Sequence, residues 1–378
     1  MKKTILVLTI MMALISLVAV FPGSAMAQVT GPCVNCHTMH NSQGGTDPLD
    51  MKGDSVVGPN ATLLTNSCVG CHSHPTQSTY TVGGTTVPVV LNTGGTAPAT
   101  YLAGGNFWWV KQGLGGDDTK GHNVFLGEPD EALSAGAPGY GTLGCGANGS
   151  SCHLNLNTVA ELSGSFLDRR QGCTKCHMVS DTSGPKGFHH KNDTGPVVDT
   201  EAEGYYRFLH GHMAGQGNGV AGIEDPDWQA TSSSTDHNEY LGNSGNKLSS
   251  GSMSLLGNTM TGYCSGCHGN FHQQQTSGDW VRHPSDAVLP DETPDSEYEA
   301  YTVYDPNVPV ARASTSLTAV SGTVTKGSDM VMCLSCHRPH GSPYPDMLRW
   351  NYDAMEVGTD GAAAGTGCFV CHTGKDGA

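Results

Sequence analysis

Every one of the fourteen cysteines belongs to a pair whose second member is followed at once by histidine, and that pairing exhausts the cysteines. Six pairs have a two-residue spacer: Cys33/Cys36/His37, Cys68/Cys71/His72, Cys173/Cys176/His177, Cys264/Cys267/His268, Cys333/Cys336/His337 and Cys368/Cys371/His372. The remaining one, third in chain order, is Cys145/Cys152/His153, with six small residues between its cysteines. C-x-x-C-H is the attachment signature of c-type haem. Two thiols must reach the two vinyl positions on one porphyrin edge, and the next side chain must turn under the ring to give iron its proximal imidazole. Disulfides and zinc are the competing uses of such cysteines. With only 18 histidines in 378 residues, a histidine after every pair is not a chance arrangement. The Gly-Ala-Asn-Gly-Ser-Ser spacer of residues 146–151 can bulge while both thiols still reach the vinyls, so seven covalent haems are expected, with a disulfide at Cys145/Cys152 the competing arrangement.

Seven irons that are all six-coordinate need seven distal ligands, and eleven histidines remain after the proximal ones. Bis-histidine ligation throughout therefore needs no methionine and biases the centres towards low potential. His40 and His340 each follow a proximal histidine by three residues, which suits ligation of a neighbouring iron. His272 follows its motif closely too, whereas His122 and His283 stand alone in long stretches between motifs. His212 and one of His189 and His190 complete the expected set, leaving His74, His210 and His237 as the remainder. An iron closed on both faces is limited to outer-sphere electron transfer. No catalytic residue is expected.

The elements that hold these sites must be sparse. Aromatic residues are 7% of the chain, against 52 glycines and 20 prolines, a composition too poor in large apolar side chains for a conventional core. Porphyrins supply the missing apolar surface, so the expected architecture is mostly irregular backbone with short α-helices and a few short strands around stacked haems. Thr79 to Leu91 reads as a hairpin about Gly83-Gly84. Helical signals are confined to Asp130–Ser134 and the turn after each attachment histidine.

Lys2 and Lys3, an apolar run over residues 4–21 and Ala25-Met26-Ala27 form an export signal with its cleavage site, giving a signal peptide over 1–27 and a single heptahaem domain over 28–378. No cysteine follows that signal to take a lipid anchor, and no later segment is apolar enough to cross a bilayer. An exported protein is expected, outer-surface or extracellular, with the periplasm as the alternative. A net charge of −16 disfavours nucleic acid and anionic membranes as partners, and leaves cationic redox partners, oxidised minerals or further copies of the chain. The first and last motifs lie near the two ends of the processed chain, where each end presents a redox centre.

Cys36-His37-Thr38-Met39-His40-Asn41-Ser42, Gly222 to Trp228, Asp236 to Tyr240 and Cys333 to Trp350 resemble the outer-surface multihaem cytochromes of metal-reducing bacteria, including the filament-forming OmcS and OmcE types. That resemblance implies haems packed in parallel and T-shaped pairs, a homopolymer in which a histidine of one subunit ligates a haem of the next, and electron delivery to extracellular acceptors. His40 is a candidate for the bridging ligand. A monomeric carrier and an oxyanion reductase are the alternative functions.

Overall fold

The computed structural model describes residues 32–33, 37, 68–82, 84–125, 137–138, 156, 172–177, 189, 197–200, 203–210, 219–244, 258–268, 271, 283–291, 297–313, 317–357 and 365–375. The export signal over 1–27, the third motif and Asp130–Ser134 lie outside them.

Helix is concentrated at the cysteine pairs. Cys68–Gly70 and Gly172–Lys175 are 3-10 turns, and three short α-helices cover Met260–Cys264 (α1), Cys333–Cys336 (α2) and Cys368–Cys371 (α3). Residues three apart share a helical face, so a two-residue spacer presents both thiols on one side of a single turn. The histidine then closes that turn. Its backbone N–H donates to the carbonyl of the first cysteine at 2.8 Å for His37, 2.9 Å for His72, His177 and His372, 3.0 Å for His268 and 3.1 Å for His337. At these motifs a turn carries the cysteines and closes at the histidine, and the turn expected after the histidine is present at His268, where the Phe271 N–H donates to His268 O at 3.0 Å, and at His372. His72 leads instead into strand β1, Ser73–His74, and His372 runs into a further 3-10 turn, Thr373–Lys375, while the residues that follow His37 and His177 lie outside the described ones.

Strands are short. β2 (Thr79–Val82) and β3 (Thr85–Pro88) form the expected hairpin, antiparallel with Tyr80 opposite Val87, and β4 (Leu91–Asn92) returns to pair in parallel with β1. Pro88 ends β3. Further along, β5 (Val197–Val198), β6 (Gly222–Ile223) and β7 (Glu239–Tyr240) form an antiparallel sheet in that order, and β8 (Ala287–Val288) pairs with β9 (Met330–Val331). Most other described backbone is turn or coil, as the composition implies.

Apolar side chains gather in small separate clusters, each touching an attachment cysteine. Val69, Leu91, Phe107, Val110, Val124 and Phe125 pack with Cys173; Tyr206, Val220, Tyr240, Met260 and Met332 pack with Cys176 and Cys264; Leu289, Tyr301, Tyr304, Val308 and Val310 pack with Cys371. Between the last two lies a buried polar knot. Arg312 spends all five guanidinium N–H groups there, on Glu239, Asp329 and the carbonyls of Ser321 and Thr323. No helix among the described residues is long and apolar enough to cross a membrane.

Candidate haem attachment and ligation sites

A proximal histidine must offer iron a lone pair on Nε2, so Nδ1 has to carry the proton and be held by an acceptor. Five described attachment histidines meet that requirement. Nδ1 of His72, His177, His268 and His337 donates to the carbonyls of Pro88 (2.9 Å), Arg207 (2.8 Å), Pro138 (2.7 Å) and Asp346 (2.7 Å). His372 instead donates to the Glu297 carboxylate at 3.0 Å. Carbonyl oxygen only accepts, so the first four are fixed in the Nδ1–H tautomer.

The cysteines beside these histidines are held by the same turns. In the second motif the Cys71 N–H donates to Cys68 O at 3.2 Å, and in the fifth the Cys267 N–H donates to Cys264 O at 3.1 Å. The Tyr80 hydroxyl on β2 donates to Cys71 O at 2.5 Å, which ties the end of that turn to the hairpin. Cys71 and Cys267 are half-buried thiols, whereas Cys33 and Cys68 are exposed. The sequence gives the two cysteines of a motif equal standing as attachment residues. In the second and fifth motifs the first cysteine lies near a cysteine of another motif, and the N–H of Cys71 or Cys267 closes the turn behind it.

Four of the proximal rings face a second histidine. Centroid separations are 5.9 Å for His72 and His189, 5.8 Å for His177 and His340, 6.1 Å for His268 and His122, and 6.3 Å for His372 and His283. An imidazole nitrogen binds a metal at about 2 Å, so two rings on opposite faces of one ion have centroids about 6 Å apart. The outer rings are oriented as well: Nδ1 of His122 donates to Pro339 O at 3.0 Å, and Nδ1 of His283 to Pro284 O at 2.9 Å. Between the candidates His189 and His190, the structure brings His189 to His72, whereas His190 lies outside the described residues.

His340 shows how such a ring is positioned. It leaves α2 on a turn rather than a helix, its N–H donates to Gly104 O at 2.8 Å, and Phe107 stacks on its ring at 4.8 Å. Gly105 makes the approach possible. Its φ of +93° is open to glycine, and a Cβ there would strike Gly341 O at 2.1 Å. Burial keeps the His340 and His122 imidazoles neutral, the form a metal ligand needs. Burial and then the neighbouring His177 bring His340 down to about 3; burial and then His268 bring His122 down to about 4.

Two further observations suit a haem. Cys333 and Cys336, and Cys368 and Cys371, remain thiols rather than closing disulfides across their spacers, as do Cys68 and Cys71, and Cys264 and Cys267. Arg338 and Arg349 lie close enough to repel one another, and among the described residues no ion pair to a carboxylate is formed by either. Arg338 packs over Tyr101 and donates to the carbonyls of Leu102 and Ala103, while its Nε has no hydrogen-bond partner. Acidic propionates are the counter-charge such a pair lacks. The arginines escape a sequence reading because their spacing means nothing until the chain folds them together.

Other candidates fare differently. Both ring nitrogens of buried His237 face carbonyls, Asn238 O at 2.8 Å and Ser321 O at 3.3 Å, and the ring stacks on Tyr304 at 3.6 Å, so it is engaged in packing. Nδ1 of His74 accepts the N–H groups of Thr76 and Gln77, which fixes the opposite tautomer from a ligand's. Cys36, His40, Cys145, Cys152, His153, His212 and His272 lie outside the described residues.

The attachment turns also meet each other. The Cys68 thiol lies within interacting reach of Cys173, and that of Cys264 within reach of Cys333. Tyr263, on α1, donates from its hydroxyl to Cys176 O at 2.7 Å, tying the fourth motif to the fifth.

Comparison with known proteins agrees with this chemistry. The family described as "Doubled CXXCH motif" matches residues 323–377. The C-type cytochrome OmcS of Geobacter sulfurreducens is 26% identical, over 89% of this chain and 82% of its own length. Among solved structures, the outer membrane cytochrome S filament of the same organism aligns over 89% of this chain and 86% of that one, with 20% identity and a TM-score of 0.44. The OmcS nanowires align over 93% and 95%, with 19% identity and a TM-score of 0.43. The resemblance read from the motifs and their flanks thus extends along most of the sequence. The chain is similar to OmcS-type cytochromes, and its motifs are those of covalently bound haem c.

Proposed function

We propose that this OmcS-type chain is a subunit of an extracellular filament that conducts electrons through seven bis-histidine c-type haems. The observation that carries the reading is the set of histidine pairs at 5.8–6.3 Å, with the proximal Nδ1 of each held by an acceptor. His72 with His189, His177 with His340, His268 with His122 and His372 with His283 are the pairs that would hold an iron. When bound, haem iron supplies reversible one-electron exchange between its ferric and ferrous states.

The chain's own part is attachment, orientation and exclusion of substrate. Each cysteine pair, Cys68 with Cys71 and Cys264 with Cys267 among them, fixes one porphyrin edge to a turn. The capped proximal imidazole would hold the iron through Nε2, and a histidine from elsewhere in the chain would be its second ligand. With both faces closed there is no position for an oxyanion to bind, so the role is electron transfer rather than reduction of a small substrate. Cross-ligation also staples distant segments: His340, from the sixth motif, reaches the fourth, and the Nδ1 of His122 is held by Pro339 beside it. His40, His212 and His272 are the reserve for the remaining irons, His40 in particular for an iron of a neighbouring copy. Export through cleavage after Ala27 and similarity to a filament cytochrome both support assembly outside the cell.

Native material sheared from cells tests this. Cryo-microscopy is expected to show fibres of this chain with every iron between two imidazoles, and spectra to be wholly low-spin. Discrete monomers with a cyanide-binding high-spin fraction would overturn both the polymer and the closed irons.

A further inference from the structure

Two successive non-glycine residues with positive φ occur at three places among the described residues: Arg207-Phe208 (48° and 61°), Trp228-Gln229 (59° and 60°) and Asp346-Met347 (57° and 53°). Each pair forms the centre of a closed turn. The Leu209 N–H donates to Tyr206 O at 3.0 Å, the Ala230 N–H to Asp227 O at 3.0 Å, and the Leu348 N–H to Pro345 O at 3.2 Å. A left-handed turn of this kind ordinarily uses Asn-Gly, because a side chain crowds the following carbonyl there. Arg, Phe, Asp and Met hold it against their own preference, and such residues persist where the surroundings over-determine them.

Two of the three turns carry a proximal imidazole. Nδ1 of His177 donates to Arg207 O at 2.8 Å and Nδ1 of His337 to Asp346 O at 2.7 Å, in both cases the carbonyl of the first central residue. Each turn closes on the carbonyl one residue earlier, Tyr206 O or Pro345 O, which leaves the Arg207 and Asp346 carbonyls for a partner outside the turn. In a turn of the ordinary hand, the mirror image, the same peptide would present its carbonyl to the opposite side. The third turn gives its corresponding carbonyl, Trp228 O, to the Ala103 N–H at 3.2 Å. The conformation thus supplies an outward acceptor, and two of the three turns offer it to histidine. Those two share a sequence as well, Tyr205-Tyr206-Arg207-Phe208-Leu209 and Tyr344-Pro345-Asp346-Met347-Leu348, although one stands 30 residues beyond its histidine and the other 9.

Both turns are anchored from outside. The Arg207 N–H donates to Glu224, and its guanidinium donates to Glu224, Asp225 O and Asn238 Oδ1. Met347 O accepts the Arg338 N–H at 2.8 Å, and Leu348 pairs with His337 itself. We propose that the left-handed turns at Arg207-Phe208 and Asp346-Met347 are positioning devices for the fourth and sixth attachment histidines. The backbone hand at Arg207 and Asp346 aims the carbonyl that fixes the orientation of His177 and His337, and so sets the basicity these imidazoles offer to iron. This rests on the haem ligation proposed above and adds the residues that tune it.

Asp346 is exposed, so its side chain can be changed without opening the core. The experiment compares Asp346→Asn, Asp346→Gly and Asp346→Val in the full chain, matured and exported as the native protein is. All three remove the carboxylate, so charge does not separate them, whereas Asn and Gly accept a positive φ and β-branched Val resists it. The Asn and Gly variants are expected to agree in potentiometric titration. In the Val variant one component is expected to move positive of them, by a shift equivalent to a change on the order of tenfold in the ferrous-to-ferric ratio. One low-spin signal in electron paramagnetic resonance is expected to change with it. Should the Val variant not mature, Asp346→Ala is read in its place, with a smaller shift of the same sign. A Val or Ala variant that coincides with Asn and Gly in both measurements would overturn the role of the turn and leave the electron-transfer reading standing. A wild-type sixth motif without a low-spin haem would remove the ligation itself, and this inference with it.

Discussion

Glu297 holds the Nδ1 proton of His372 at 3.0 Å, a carboxylate in the role that backbone carbonyls fill at His72, His177, His268 and His337. A carboxylate acceptor pushes more electron density onto the imidazole than a carbonyl does, and a more basic ligand favours ferric iron. The seventh site is accordingly biased to a lower potential than those four. Glu297→Gln keeps an oxygen acceptor but removes the charge. One component of a potentiometric titration is expected to move positive by roughly 60 mV, the one-electron equivalent of a tenfold change in relative stability, with the others fixed. A titration that does not change would show that Glu297 leaves His372 electronically untouched.

His237 separates a structural histidine from a ligand. His237→Phe preserves the stack on Tyr304 but loses hydrogen bonds to Asn238 O and Ser321 O. Stability is expected to fall by about 1–2 kcal/mol, while haem content and the low-spin spectrum stay as they were. New high-spin absorption in the variant would make His237 an iron ligand after all.

The attachment residues are legible in the sequence because covalent haem chemistry leaves no freedom in residue type and little in spacing. The hairpin at Thr79–Pro88 is legible for a similar local reason, its alternating residues breaking at glycine. The pairing of histidines in space is not. His340 follows His337 closely, yet what brings it to His177 is the Gly104–Phe107 segment folding over it from far earlier in the chain. Choosing His189 over His190 likewise needs the position of His72. The turn that carries each cysteine pair is less legible, because a histidine after two cysteines reads as the start of a turn, whereas its N–H also makes the bond that ends one. Glu297, Arg338 and Arg349 leave no local pattern at all.

Arg312 joins the second and third apolar clusters through a fully engaged guanidinium, with the carboxylates of Glu239 and Asp329 buried around it. Removing only the cation strands both carboxylates. Arg312→Met is expected to cost about 3–5 kcal/mol, read as a lowered midpoint in thermal unfolding followed by Soret circular dichroism. Adding Glu239→Gln and Asp329→Asn to that variant is expected to recover a large part of the loss. If the triple variant is no better than Arg312→Met, the cost lies in packing rather than in stranded charge.

Asp225 and Asp227 supply the pH dependence. Burial pushes the Asp225 carboxyl up to about 6; at Asp227 burial acts in the same sense but is outweighed by hydrogen bonds from Thr231, so that carboxyl is held below the usual range. Asp225 Oδ2 and Asp227 Oδ1 have no donor while both groups are ionised, and one proton on Asp225 satisfies both atoms. Because the folded state holds that proton more tightly than the unfolded chain, the stabilisation is complete at pH values below the ordinary carboxylate range. It is lost as pH rises through about 6. Asp225→Asn keeps a permanent donor towards Asp227. It is expected to stabilise the fold above pH 7 by about 1 kcal/mol, a value reduced for solvent screening because Asp227 is half-buried, and to have no benefit near pH 4. Unfolding midpoints of variant and wild type that differ equally at both pH values would mean that the pair does not share a proton.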